Sequence, residues 1–155
     1  MGFKESLESY LKENKVPFQL HHHPPAYTAQ AVAESEHISG RMVAKVVMAR
    51  AGDKMVMLVV PANLKVNLDK AAAAIGVKEL RLAGEDEFAE AFPGCEVGAM
   101  PPLGHLYGFD TFVDRALTAD ETIVFQAGTH EDTVHMKRAD FERLEQPRIA
   151  DLAAA

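Results

Sequence analysis

The 155-residue chain has a single cysteine, Cys95, and no apolar run near the length of a membrane-spanning helix. One cysteine excludes an internal disulfide and is typical of a protein in the reducing cytosol. A spanning helix needs about 20 apolar residues, so we expect no contact with a membrane. Net positive charge is also lacking, since 23 acidic and 16 basic residues give a formal charge of −7. Such a chain is not expected to bind long nucleic acid through its phosphates, but one or two local cations suffice for a nucleic-acid terminus.

The remaining composition is that of an ordinary globular protein. The chain is 48% hydrophobic and 25% charged, enough to bury a real core in one domain that covers residues 1–155. Predicted helices and strands are interspersed without strict alternation, which favours an α/β fold with a mixed sheet and flanking helices. The alanine-rich tail, residues 148–155, is expected to fray.

Local patterns predict several elements. Apolar residues recur at helical spacing from Phe3 to Leu11, and Asn67 and Gly76 have the positions of an N-cap and a C-terminal stop for a helix over 68–75. Thr28 is expected to cap another helix that runs to about Glu36, with Gly40 as its stop. Residues 42–50 and 54–60 predict a hairpin around Gly52, with the second strand central because it is apolar on both faces.

The segment from Gly94 to Gly104 is rich in glycine and contains the adjacent prolines Pro101 and Pro102. Two prolines fix two φ angles and remove two backbone donors, while the glycines permit positive φ and close approach. The segment therefore predicts a stiff, preformed loop. It is either an ordinary surface loop or one that presents backbone N–H groups to a ligand.

Lys45 lies within an apolar, β-branched run that predicts a strand. A lysine there has three interpretations. Its side chain could alternate outward into water, it could hold a positive charge in a cleft for an anionic ligand, or it could be a desolvated amine that acts as a base or Schiff-base nucleophile.

Other reactive residues give weaker signals. His21 and His23 could share a metal ion on one face of an extended segment, but no nearby carboxylate or cysteine completes a tetrahedral site, so we expect no metal. His23 is then a packing or cleft-wall residue. Cys95 is more typical of packing than of nucleophilic catalysis. No serine lies in a nucleophile elbow and no dinucleotide or phosphate-loop signature occurs, so no cofactor is expected.

Five segments, taken in order, resemble a known family. They are His23-Pro24-Pro25-Ala26-Tyr27-Thr28, Val43-Ala44-Lys45, Val59-Val60-Pro61-Ala62, Gly98-Ala99-Met100-Pro101-Pro102-Leu103-Gly104 and Phe125-Gln126-Ala127-Gly128-Thr129-His130. The chain resembles the YbaK family, stand-alone relatives of the editing domain inserted in bacterial prolyl-tRNA synthetases. The resemblance extends from about residue 5 to about residue 147 and is most specific at Lys45 and at the Gly98 to Pro102 element.

The resemblance implies a fold with a mostly antiparallel, barrel-like mixed sheet, and it implies a set of site residues. The expected catalytic group is Lys45 with the loop residues Gly98, Ala99 and Met100. The expected substrate-binding group is His23, Thr28, Pro101, Pro102, Gly104, Asp114, Gly128, Thr129 and His130. Asp114 and His130 also have an ordinary interpretation as turn residues.

The expected function is a cytoplasmic trans-editing deacylase that hydrolyses the ester of a small, wrong amino acid at a tRNA 3′ end. Its partners would be aminoacylated tRNA and, transiently, an aminoacyl-tRNA synthetase, and the protein would be a monomer or weak homodimer. The alternatives are a non-catalytic module that binds aminoacyl-tRNA or an amino-acid-like ligand and, more distantly, a lysine Schiff-base enzyme.

Overall fold

A computed structural model describes residues 3–154. Within that range the elements follow the order α1 (Phe3–Glu13), β1 (Phe18–His22), α2 (Ala29–Ser35), β2 (Ala44–Ala51), β3 (Lys54–Pro61), β4 (Lys65–Val66), α3 (Leu68–Ile75), β5 (Arg81–Leu82), α4 (Glu85–Phe88), β6 (Asp110–Asp114), β7 (Thr122–Gln126), β8 (Asp132–Lys137), α5 (Arg138–Glu145), β9 (Arg148–Ala150) and β10 (Ala153–Ala154). None of the helices in the described range is long and apolar enough to cross a membrane.

The strands form two main sheets. Five strands lie in the order β5-β2-β3-β6-β9 and three in the order β1-β8-β7, with a small β10-β4 pair beside them. Most pairings are antiparallel, and the parallel ones join β6 to β3 and β9. A single parallel bridge, Val43 to Val124, connects the two main sheets. The predicted mixed α/β fold with flanking helices is confirmed, although hydrogen bonds between the described strands do not close a continuous barrel.

Strand β3 forms the centre of the larger sheet, as its apolar sequence predicts. Its residues from Val56 to Val60 are almost fully buried between β2 and β6. Each buried side chain of this kind stabilises the fold by about 1.5–3 kcal/mol relative to exposure. The hairpin turns at Gly52, which has φ of +67°, and its register places Lys45 opposite Val60.

Capping residues mark the ends of helices α2 and α3. Asn67 accepts a hydrogen bond from the Lys70 N–H at 3.0 Å, and Gly76 ends α3 in the left-handed conformation. Thr28 caps α2 through the Ala31 N–H, as predicted. The predicted stop at Gly40 is wrong: α2 ends at Ser35, and His37 takes the left-handed conformation, with φ of +55°.

The prediction that the tail frays is wrong for the described residues. Ala153 pairs with Val66, and Leu152 is fully buried. The buried carboxylate of Asp114 explains this order, because one of its oxygens accepts from the N–H groups of Leu152 and Ala153 at 2.8 and 3.0 Å. Its other oxygen accepts from the Ala116 N–H at 3.0 Å. We call the hydrogen bonds from Leu152 and Ala153 to Asp114 the C-terminal clasp. They join residues far apart in sequence, and sequence periodicity does not predict them.

Replacing Asp114 by alanine should therefore lower the free energy of unfolding by about 3 kcal/mol, because three N–H donors lose a charged acceptor. Asp151→Ala is the matched control. It removes an exposed ion pair with Arg115 and should change stability by less than about 1 kcal/mol. Urea denaturation measures both. Equal stability of the two variants would contradict the clasp, and a stable but inactive Asp114→Ala protein would return Asp114 to the substrate site.

Candidate functional site

An open cleft of about 410 Å³ lies where the two sheets and the start of α2 meet. Its walls come from five separate parts of the chain. The lining residues are Tyr27, Thr28, Ala29, Gln30, Lys45, Val46, Ala62, Asn63, Leu64, Lys65, Gly98 and Gln126. The fold thus brings three of the predicted site residues, Thr28, Lys45 and Gly98, to one cleft.

Lys45 projects from β2 into this cleft and is half buried. Its Nζ donates a hydrogen bond to the carbonyl oxygen of Leu64 at 2.8 Å. An ammonium has three donors, so two remain for a ligand. Burial, and secondarily the nearby charge of Lys65, lowers the pKa of Lys45 below its usual value. An anion in the cleft would offset both effects, so the environment of Lys45 suits a phosphate or another negatively charged group.

Lys65 is a second cation at the cleft, and sequence reasoning missed it. It follows Leu64 in the segment after β3, where a turn closed by a hydrogen bond from the Leu64 N–H to the Pro61 carbonyl at 3.0 Å brings the chain beside Lys45. The hairpin register alone does not predict this turn. Arg41, the other local cation near the predicted strand, is instead bound by the carboxylate of Asp120 through Nε at 2.9 Å.

The glycine- and proline-rich loop is held rigidly by backbone hydrogen bonds to Gly128. The Glu96 N–H donates to the Gly128 carbonyl at 2.8 Å, and the Gly128 N–H donates to the Ala99 carbonyl at 2.9 Å. Gly98 lies between these two contacts with φ of +90°, a conformation that favours glycine. Its N–H faces only the thioether of Met100, at 3.2 Å. A thioether is a weak acceptor, so this donor is available to a stronger one.

The remaining loop residues do not line the cleft. Ala99, Met100, Pro101 and Pro102 are buried, and the Ala99 N–H already donates to the Glu96 carbonyl at 3.0 Å. Gly104 is a packing glycine, because a Cβ there would lie 2.5 Å from Oγ1 of Thr111. Their contribution is to fix the backbone on which Gly98 sits.

The turn from Gly128 to His130 hydrogen-bonds to the loop that carries Gly98. Nε2 of His130 hydrogen-bonds the Val97 carbonyl at 3.0 Å, and its backbone N–H donates to the Glu96 carboxylate at 2.8 Å. Thr129 donates to Asp132 at 2.6 Å within the turn. None of the three lines the cleft itself, although the His130 ring packs against Tyr27 at the rim, with ring centroids 4.9 Å apart.

Two further predicted substrate-binding residues lie elsewhere. His23 is buried behind α2, with Nδ1 2.7 Å from the Pro24 carbonyl oxygen. Asp114 is occupied by the C-terminal clasp. In their place the cleft gains polar groups that sequence reasoning missed, chiefly Tyr27, which is 72% exposed at the entrance, and Gln126, which lies on the floor. Tyr27 and Gln126 both lie in segments that carry the family resemblance, so the resemblance could have predicted their place at the cleft.

No carboxylate, imidazole or thiol occurs among the described residues that line the cleft. Cys95 is close in sequence to Gly98, but burial, and secondarily Glu96, raises the pKa of its thiol to about 12. The thiolate is the nucleophilic form, so Cys95 is inert near neutral pH. The polar groups of the cleft are therefore suited to binding and orienting a negatively charged ligand, and no carboxylate, imidazole or thiol of the described lining is available as a general base.

The structure is thus a small α/β domain with an open cleft whose described lining combines two lysines with small apolar side chains. A family model described as the aminoacyl-tRNA editing domain matches residues 23–144. The chain belongs to this family, and the family assignment made from the sequence is confirmed.

The curated relatives include stand-alone and fused proteins. The chain is 25% identical over 152 residues to the multifunctional Ser/Thr-tRNA deacylase ProXp-y of Escherichia coli K12, covering 95% of this chain and 90% of that one. It is also 28% identical over 125 residues to the proline–tRNA ligase of Limosilactobacillus fermentum, covering 77% of this chain. The chain spans only 14–21% of the length of the proline–tRNA ligases it matches.

A solved structure, described as a candidate trans-editing enzyme for prolyl-tRNA synthetase, has the same fold. It superposes with a TM-score of 0.86 at 19% identity and covers the whole of this chain and 99% of its own.

Because its thiol is protonated and lies outside the cleft lining, Cys95→Ala should keep the deacylation rate within a few-fold of wild type. The assay is release of amino acid from a mischarged tRNA near neutral pH. Complete loss of activity, or an acyl-thioester trapped on Cys95, would show instead that the reaction passes through a covalent intermediate on this thiol.

Gly98→Val should lower the deacylation rate by about 10²-fold or more, the loss typical when one oxyanion donor is misplaced. Valine keeps the N–H, but its Cβ would lie 3.4 Å from Cε1 of His130 and its branched side chain would strain the positive φ, so the N–H would shift. Gly108→Val is the matched control, since Gly108 has φ of +83° with open space around it and does not line the cleft. Both variants should lose similar melting temperature. Equal activity of the two would show that the loop does not contact substrate.

Proposed function

We propose that this protein acts in trans to hydrolyse the ester between a small, wrongly attached amino acid and the 3′-terminal ribose of tRNA. Its family is described as the aminoacyl-tRNA editing domain, and a stand-alone relative of nearly equal length is a Ser/Thr-tRNA deacylase. The observation that carries the proposal is the cleft itself, which Lys45 and Gly98 both line beside small apolar side chains.

A separate editing site answers a physical limit on synthetases. One methylene in a binding pocket discriminates amino acids by only about 10–200-fold, so a second pocket must hydrolyse the errors. Here Val46, Ala62 and Ala29 supply small apolar surface. We infer that the amino-acid side chain packs there. Serine and threonine are the first candidates, because they are the amino acids in the relative's name.

Lys45 and Lys65 are inferred to hold the terminal phosphate or ribose and so orient the ester. A chain of net charge −7 is not suited to binding the body of the tRNA through its phosphates, so we infer that it binds the tRNA end through these two local cations. Tyr27, exposed at the rim, offers a ring on which the terminal adenine can stack. Affinity for free tRNA should accordingly be weak, which suits a transient complex with a synthetase in the cytoplasm.

The chemical step needs little from the protein. An aminoacyl ester is activated, so a positioned water and stabilisation of the developing oxyanion suffice. The Gly98 N–H is the proposed oxyanion donor. Because the described cleft lining has no carboxylate, imidazole or thiol, and Lys45 is assigned to holding the tRNA end, we infer that a substrate group assists the water, whether its amine, its side chain or the free ribose hydroxyl.

The test is Lys45→Ala, which should reduce single-turnover deacylation of seryl- and threonyl-tRNA by at least about 10²-fold while the melting temperature stays near wild type. Lys54→Ala is the matched control, since Lys54 lies on the adjacent strand, is exposed and pairs with Asp110 outside the cleft. It should keep full activity.

Lys45→Arg separates charge from shape, because guanidinium retains the charge but is larger and planar. Partial activity in this variant is expected. A folded Lys45→Ala protein with wild-type rates on every mischarged tRNA would remove Lys45 from the mechanism. A borohydride-trapped adduct on Lys45 would instead support the Schiff-base alternative.

A further inference from the structure

A cluster of histidines lies outside the cleft, on the side of the three-stranded sheet that α2 covers. In the register of β1 with β8, His21 lies opposite Thr133, and Gln19 lies opposite His135. Alternate residues of a strand share a face, so His21, Thr133 and His135 point to the same side. The rings of His21 and His135 stack with centroids 3.9 Å apart.

A buried carboxylate completes this cluster. Glu36 follows the last residue of α2, and its side chain is only 6% exposed. Its two oxygens accept from Nε2 of His135 and from Oγ1 of Thr133, both at 2.6 Å. Burying a carboxylate is costly unless it is paired or binds a metal. One ligand atom each from His21, Glu36 and His135 lies within 4.8 Å of the others.

His23 adds an independent observation. It is 4% exposed, and its Nδ1 lies 2.7 Å from the carbonyl oxygen of Pro24. A carbonyl oxygen only accepts, so Nδ1 carries the proton and the neutral ring has its lone pair on Nε2. That Nε2 has no hydrogen-bond partner within residues 3–154 and faces a Glu36 oxygen at 3.4 Å. Two acceptors that face each other in a buried place require a cation or an additional proton between them.

We propose that His21, Glu36 and His135 form a binding site for a divalent transition-metal ion of the zinc class. Imidazole and carboxylate are ligands that Zn²⁺ takes at about 2.0–2.2 Å in tetrahedral geometry, which places neighbouring ligand atoms roughly 3.3 Å apart. The three ligand atoms lie within 4.8 Å of one another, so small side-chain movements bring them to that spacing. His23 lies beside the site, with its Nε2 3.4 Å from a Glu36 oxygen.

The premise that no carboxylate lies near the histidine run is wrong, because the fold brings Glu36 to it from the end of α2. An ion there would join α2 to the β1–β8 pair. The first turn of α2 carries Ala29 and Gln30 of the cleft. The inferred role is therefore structural, fixing one wall of the cleft without contact with substrate.

The test is calorimetric titration of chelator-treated protein with Zn²⁺, supported by the visible absorption of Co²⁺ as a spectroscopic substitute. Wild type should bind one Zn²⁺ per chain, give an intense tetrahedral Co²⁺ spectrum and gain melting temperature on binding. The matched pair is His21→Gln and His22→Gln, because both residues are exposed neighbours on one strand. His22 points to the opposite face and pairs with Asp132.

We expect His21→Gln and Glu36→Gln to weaken Zn²⁺ binding by at least about 10-fold and His22→Gln to leave it unchanged. Circular dichroism checks that each variant is folded. If Glu36→Gln unfolds the protein, His21→Gln still tests the site, because His21 is exposed and its replacement should not affect folding. Absence of Zn²⁺ binding by folded wild type would overturn the proposal in favour of a protonated His23 paired with Glu36. Equal weakening by His22→Gln would also overturn it, since the run of three histidines would then bind metal nonspecifically. Neither readout depends on deacylation.

Discussion

The ammonium of Lys45, anchored on the carbonyl of Leu64, is the interaction from which the candidate site is built. It forms because the β2–β3 hairpin returns the chain so that the residues after Pro61 pass the lysine. The two strands are held in register by the buried apolar side of β3, so the charge sits at a fixed point beside the core. Burial and Lys65 disfavour that charge, and an anionic ligand would favour it again.

The opposite wall of the cleft, the loop that carries Gly98, is held in place by backbone hydrogen bonds. Hydrogen bonds from Glu96 and to Ala99 clamp the loop to Gly128, and the buried prolines Pro101 and Pro102 stiffen the rest of the loop. Gly98 is thereby presented with its N–H toward a weak sulfur acceptor, so no strong interaction must break when a ligand binds. Together the two walls place a cation and a glycine backbone at a cleft whose described lining has no carboxylate, imidazole or thiol, and this arrangement suits the activated ester of the proposed substrate.

Local chemistry predicted much of this fold from sequence. The caps at Asn67 and Gly76, the hairpin at Gly52 and the central apolar strand are all short-range signals, and the structure contains each of them. The resemblance added the family and the expectation that Lys45 and Gly98 act at the site. Sequence patterns do not show which way each loop residue faces, so they predict Met100 and Pro101 at the site, whereas both are buried and neither is among the residues that line the cleft.

Hydrogen bonds between residues far apart in sequence could not be predicted from these local patterns. Asp114 has the appearance of a turn residue, yet it holds the C-terminal strand in place from 38 and 39 residues away in sequence. Glu36 reaches His135 across 99 residues, so the histidine run appeared to lack a carboxylate. Periodicity reports which face of an element is apolar, and it does not report which distant polar group meets that face.

The central claim is that the cleft catalyses hydrolysis and does not merely hold its ligand. The most direct measurement is release of amino acid from mischarged seryl- and threonyl-tRNA supplied in large excess over wild-type protein. We predict many rounds of release per protein molecule, with correctly charged tRNA of large amino acids spared. Tight binding that protects the ester, or release that stops at one equivalent, would contradict the claim and identify the protein as a binding module.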